Sequence, residues 1–222
     1  MVAHVFSLAF IGVIAYFSVP GSSLFSWHPF LMTLGYVGFL FQAILVFSRE
    51  SSLFATIKHK NKITLHWIFN TLGLFSILLG YAAIYYNKEE RGKPHLKTWH
   101  GILGIATIVY TIVQFVAGHN LTIFNSFVRK FVSYQSLSMY HATSGTFLYV
   151  LACLSISLGI YSNWFSESTP FYVWYLCFAI TAMLGLIITN QVTAKYVTSR
   201  MNSSQINFTT KKSKAINKLK TK

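Results

Sequence analysis

The chain has 222 residues, of which 54% are hydrophobic and only 10% charged, and its mean hydropathy is +0.51. Lys and Arg number 18 against 4 Asp and Glu, a formal charge of +14. Soluble domains carry about 25% charged residues, so this composition excludes an ordinary soluble globule, a disordered chain and, despite the basic balance, a soluble nucleic-acid binder. A lipid bilayer is the expected surrounding.

Six apolar stretches follow in chain order, roughly 2–19, 28–48, 63–86, 97–118, 137–160 and 170–194. Most reach the ~20 residues needed to cross a hydrocarbon core. None alternates as a barrel strand would, and backbone groups in lipid must be satisfied within the segment. The expected fold is therefore an all-α membrane protein of six transmembrane helices over residues 1–197. Residues 198–222 form a basic tail expected to be disordered. Turn residues mark the joints: Pro20-Gly21-Ser22-Ser23, Lys60-Asn61-Lys62, Gly92-Lys93-Pro94 and Ser166 to Pro170. The first stretch is short and has a rival reading as a cleaved signal peptide, but Met1 to His4 holds no Lys or Arg.

Charge sorts the two membrane faces. The N-terminus, the second and fourth connections and the tail hold 14 Lys and Arg, and the other three connections hold 4. The basic face, here side A, is expected to be cytoplasmic, with both termini there. The opposite face is side B. The lysines of the tail read most simply as a topology anchor, with contact to anionic lipid or a retrieval signal as alternatives. Three glycosylation sequons, at Asn120, Asn202 and Asn207, fall on side A and are expected to be bare. Cys153 and Cys177 lie inside spans, and no Cys-x-x-Cys-His haem-attachment motif occurs.

All four Glu (Glu50, Glu89, Glu90, Glu167) fall in connections, and the chain has no Asp. A proton-coupled carrier, which relies on intramembrane carboxylates, is therefore disfavoured. Four histidines do enter spans. His28, His66, His100 and His141 each fall near the start of one of four consecutive helices. Successive helices run in opposite directions, so His28 and His100 share one depth and His66 and His141 the other. At 1.5 Å per residue the two levels lie roughly 20 Å apart. Two neutral imidazoles can ligate a haem iron from above and below within a helical bundle, whereas zinc wants three or four ligands. Gly35, Gly73, Gly104 and Gly145 follow the histidines by one or two turns, where they would leave room for a flat macrocycle or serve close helix packing. Among the other histidines, His4 and His59 are expected in water and His119 as a helix end. His95 stands just outside side B.

These residues sit within a longer pattern. It runs Pro-Gly-Ser-Ser-Leu-Phe-Ser-Trp-His-Pro at 20–29, Leu-Val-Phe-Ser at 45–48, His66-Trp67, His-Leu-Lys-Thr-Trp-His-Gly at 95–101, Tyr-His-Ala-Thr-Ser-Gly at 140–145 and Asn190-Gln191-Val192. In this order and spacing it resembles the cytochrome b561 family over nearly the whole chain, from Pro20 to Val197, with a particular likeness to one branch of it. The resemblance implies two non-covalent b-type haems in the four central helices, ligated by His28 and His100 and by His66 and His141. It implies transmembrane electron transfer from cytoplasmic ascorbate to monodehydroascorbate or ferric iron on the lumenal side, and a homodimer.

Ascorbate is an anion at neutral pH, so its site should be basic. Arg49, Lys60, Lys62, Arg129 and Lys130 on side A are the candidates, unless they only set topology. Their spacing to the histidines differs from the family's by one to three positions. On side B, Lys93, His95 and Lys97 are the corresponding candidates for the acceptor. A haem or metal transporter with transient histidine ligands is the alternative function, and a membrane scaffold with incidental histidines is a third. The endoplasmic reticulum or a vesicle membrane is favoured over the plasma membrane.

Overall fold

A computed structural model describes residues 2–48, 50–123 and 132–198. Within them the regular structure is helical: α1 (Val2–Ser18), α2 (Leu24–Leu45), α3 (His59–Glu90), α4 (Trp99–Ile123), α5 (Tyr134–Ile160), the short α6 (Asn163–Ser168) and α7 (Phe171–Thr193). Five of these, α2 to α5 and α7, are long and apolar enough to cross a membrane, and α1 is shorter at 17 residues.

The helices outrun the apolar stretches that mark them. α3 begins at His59 rather than 63 and runs 32 residues, about 48 Å at 1.5 Å per residue. It therefore stands out of a hydrocarbon core about 30 Å thick at one end or both. Hydropathy marks the part of a helix in lipid, but the backbone ladder continues until something stops it. At the far end of α3 the stop is Gly92, at φ +59, where the amide of Lys93 donates to the Lys88 carbonyl over 2.9 Å. α5 likewise starts early, at Tyr134, because the Ser133 hydroxyl caps it by accepting from the Ser136 amide. α2 starts at Leu24 behind a capping box formed by Ser23 and Ser26, and it ends at Leu45, short of the expected 48.

α2 packs on α3, α4 packs on α5, and α7 closes against α5 and α2. α1 lies outside this bundle against α2 and α7. Its buried Phe10 and Ile14 join Val37, Phe41, Tyr149, Ile180 and Leu184 in the main core, and the Ser7 hydroxyl donates to the Val37 carbonyl over 2.7 Å. His4 is not in water as expected. It is buried in α1, with Nε2 2.6 Å from the Ser51 carbonyl oxygen.

Two of the four glycines expected beside the histidines serve helix packing instead. A Cβ on Gly35 would come within 3.1 Å of the Gly73 carbonyl oxygen, and one on Gly73 within 3.3 Å of that of Gly35. This is the close backbone approach that small residues permit between membrane helices. A second small core, formed by Tyr36, Leu40, Ile77, Ile108 and Ala152, lies at the centre of α2 to α5.

Candidate functional site

Each inner helix carries one of the four histidines, and the fold pairs them as their depths require. The rings of His28 on α2 and His100 on α4 have centroids 6.1 Å apart, and those of His66 on α3 and His141 on α5 are 6.3 Å apart. An imidazole nitrogen binds a metal at about 2.0 Å, so two collinear bonds plus the half-width of each ring put the centroids about 6 Å apart. The observed pairs have that separation. Among the described residues no three of His, Cys, Asp or Glu converge, so each pair offers two ligands, the number an iron already held by four porphyrin nitrogens needs.

The Nδ1 side of each ring is held by a neighbouring helix. Nδ1–H of His28 donates to the Gly80 carbonyl of α3 over 3.0 Å, and Nδ1–H of His66 donates back to the Ala43 carbonyl of α2 over 2.8 Å. On the other helix pair, Nδ1–H of His100 donates to the Ser155 carbonyl of α5 over 2.9 Å. A carbonyl can only accept, so these three rings carry their proton on Nδ1 and leave Nε2 unprotonated for a metal. His141 differs. The Gln114 amide nitrogen on α4 lies 3.1 Å from its Nδ1 and donates to its own carbonyl over 2.7 Å. The Gln114 side-chain oxygen accepts from Ser144, which also bonds Tyr110.

Each pair opens into a cavity between the helices, about 230 Å³ at His66 and His141 and about 350 Å³ at His28 and His100. A single water needs only about 15 Å³ on the same measure, so both are rooms for a large ligand. Gly145 lines the first and Gly104 the second, as expected. Two glycines that sequence reasoning missed lie closer still. A Cβ on Gly118 would come within 2.8 Å of His141 Cε1, and one on Gly159 within 3.1 Å of His100 Cε1. Paired imidazoles, with an unprotonated Nε2 on His28, His66 and His100, and apolar rooms around them fit a haem at each level.

The expected substrate residues are only partly gathered. On side A, Lys60 and Lys62 do not line the cavity, and the Lys62 ammonium donates to the Ala55 carbonyl over 3.0 Å. Arg49, Arg129 and Lys130 lie outside the described residues. His59, His119 and Lys195 do line that cavity, although His59 was expected only in water and His119 only as a helix end. The Lys195 ammonium lies 5.5 Å from the Phe47 ring centre and 5.0 Å from that of Tyr196. On side B, His95 lines the cavity but Lys93 and Lys97 do not, and Lys88 takes their place. His95 is held by Glu89 at 2.7 Å and stacks on Tyr85, with centroids 4.6 Å apart. Lys88 and Lys195 stand at the ends of helices whose sequence gives no sign of which way those ends turn.

Helices of this length around two histidine pairs define a multi-pass membrane protein of the b-type cytochrome class. The sequence profile of eukaryotic cytochrome b561 matches residues 27–166, which contain all four histidines. The chain is 38% identical over 195 residues to Transmembrane reductase CYB561D2 of Bos taurus, covering 88% of this chain and 87% of that one. The human protein of that name is 37% identical over the same shares. Ascorbate-specific transmembrane electron transporter 1 of Zea mays is 30% identical over 158 residues, 70% of this chain and 63% of that one. The chain belongs to the eukaryotic cytochrome b561 family. Its particular likeness is to the branch called cytochrome b561 domain-containing protein 2, and the family implies haem b as cofactor.

Proposed function

We propose that this protein carries single electrons across a membrane from ascorbate on the cytoplasmic side A to monodehydroascorbate or a ferric chelate on side B. It does so with two non-covalent b-type haems, one held by His66 and His141 and the other by His28 and His100. When bound, the haems supply the one-electron carriers. At side A the ascorbate monoanion gives up one electron and one proton and becomes monodehydroascorbate. At side B one electron, with one proton taken from water, returns a monodehydroascorbate radical to ascorbate, or one electron takes Fe³⁺ to Fe²⁺.

The observation that carries this reading is the pair of imidazole separations, 6.1 and 6.3 Å, at two levels of one bundle. The named activity of the Zea mays relative supports ascorbate as donor. Lys195, His59 and His119 supply cationic and hydrogen-bonding groups at the side A cavity, and Lys88 and His95 do so at side B. The carbonyls that fix the outer nitrogens of three histidines favour permanent ligands over the transient ones of a transporter. The reading includes α1 as a sixth span, both termini in the cytoplasm, an endoplasmic reticulum or vesicle membrane, and a homodimer. The test is a reduced-minus-oxidised spectrum of the purified protein with ascorbate as sole reductant. Low-spin b-type bands from about two haems per chain support it, and protein without haem, or haem that ascorbate leaves oxidised, overturns it.

A further inference from the structure

Tyr36 is the one side chain among the described residues that lines both cavities. It is 4% exposed and belongs to the small core between them. From that core Leu40 faces the side A cavity and Ile108 and Ala152 face side B. The Tyr36 hydroxyl lies 3.1 Å from the hydroxyl of Thr111 on α4, which lines the side A cavity. The Thr111 hydroxyl donates its own proton to the Thr107 carbonyl over 2.8 Å. Tyr36 is therefore the donor in the pair, and its hydroxyl points toward side A. The backbone around it is unusual as well. Residues Leu34–Leu40 are π-helical within α2, a wide turn that occurs frequently at functional sites.

We infer that Tyr36, with Thr111, forms the electronic contact between the two haem cavities: its ring spans the partition and its hydrogen bond joins the ring to the side A wall. This rests on the two-haem reading above. An electron crossing between the cavities tunnels through whatever lies between them, and coupling through bonded atoms and a hydrogen bond falls off less steeply than coupling across the non-bonded contacts between aliphatic groups. The other buried members of that core, Leu40, Ile77, Ile108 and Ala152, offer neither a ring nor a side-chain hydrogen bond, and Tyr81, packed against it, lines the side B cavity alone. The hydroxyl has a second consequence, because it fixes the tilt of the ring against α4, so both halves of the contact depend on one bond.

The experiment uses the full-length haem-loaded protein. The side A haem is reduced by a short pulse, and equilibration between the two haems is followed by absorbance. Haem content, low-spin spectra and midpoint potentials are measured alongside. Tyr36→Phe and Thr111→Val each remove the hydrogen bond with little change of volume. Both should keep two haems at unchanged potentials while slowing equilibration, and Tyr36→Leu, which also removes the ring, should slow it further. Wild-type rates in Tyr36→Phe and Thr111→Val overturn the inference, whatever Tyr36→Leu does. Slowing accompanied by shifted potentials or lost haem also overturns it, because that is the behaviour of a packing residue. A wild-type protein with one haem or none would sink the two-haem reading itself, a separate result from two haems that exchange electrons regardless of Tyr36.

Discussion

Gly118 on α4 lies against the ring of His141 on α5, so closely that a Cβ there would sit 2.8 Å from Cε1. The ring cannot retreat freely, because Gln114 holds the His141 backbone carbonyl and approaches Nδ1 from one turn away. A methyl group at position 118 must push the imidazole off the line that joins it to His66. Overpacking of this kind costs about 1–3 kcal/mol, and at a ligand it appears as lost haem. Gly118→Ala should lower the haem-to-protein ratio toward one, with the side A haem missing. Gly12→Ala is the control, since nothing lies within 4 Å of a Cβ there. A pyridine haemochrome assay reads both, and two haems in Gly118→Ala would show that the ring has room to move.

The exceptional outer contact of His141 gives a second expectation. His28, His66 and His100 each donate to a carbonyl, which makes the ligating nitrogen more basic, whereas His141 faces an amide nitrogen. Gln114→Leu removes the neutral hydrogen bonds to His141 and Ser144, each worth about 1 kcal/mol, and frees the ring to turn. The low-spin resonance and midpoint potential assigned to the side A haem should shift while those of the side B haem stay. A change in both haems, or in neither, would contradict the assignment of Gln114 to one site.

How the four histidines pair was legible in the sequence, because it follows from chain order, alternating helix direction and distance from each helix start. His66 and His141 in fact lie two turns into their helices, seven residues after His59 and Tyr134. The pairing survived because both helices were extended alike. The sequence left Gly35 and Gly73 with two roles, room for a macrocycle or close helix packing, since spacing along one helix does not say what stands opposite. They face each other. The carbonyl partners of the histidines were not legible at all. Gly80 lies 52 residues from His28 and Ser155 lies 55 from His100, and a backbone carbonyl carries no residue-type signal. Lys88 and Lys195 were counted only as topology charges, because composition cannot show that a lysine at a helix end turns toward a cavity.

The side A donor site should be electrostatic, with Lys195 contributing more than Lys62. Lys195 lines the cavity, while the Lys62 ammonium is occupied by the Ala55 carbonyl. An exposed cation contributes up to about 1 kcal/mol to holding an anion, so Lys195→Ala should raise the ascorbate concentration for half reduction by up to about fivefold. Haem content should not change. The effect should shrink with added salt, as the Debye length is about 8 Å at physiological ionic strength. If Lys195→Ala titrates as the wild type at low salt while Lys62→Ala with Lys130→Ala does not, the donor binds at the loop cations instead.

Orientation has its own check. Asn120 is exposed near the end of α4 on side A, and Asn202 and Asn207 lie outside the described residues. Protein made in microsomes should show no mobility shift on glycosidase treatment. A shift would place side A in the lumen and reverse the direction of electron flow.

The central claim is that two separate imidazole pairs hold two separate haems, and counting haem in two single variants tests it most directly. His66→Ala should keep one haem, that of His28 and His100, and lose rapid reduction by ascorbate supplied at side A. His28→Ala should keep the other haem, still reduced by ascorbate, and lose transfer to an acceptor at side B. Two haems retained in His66→Ala, or the same haem lost in both variants, would contradict the pairing and the relay built on it.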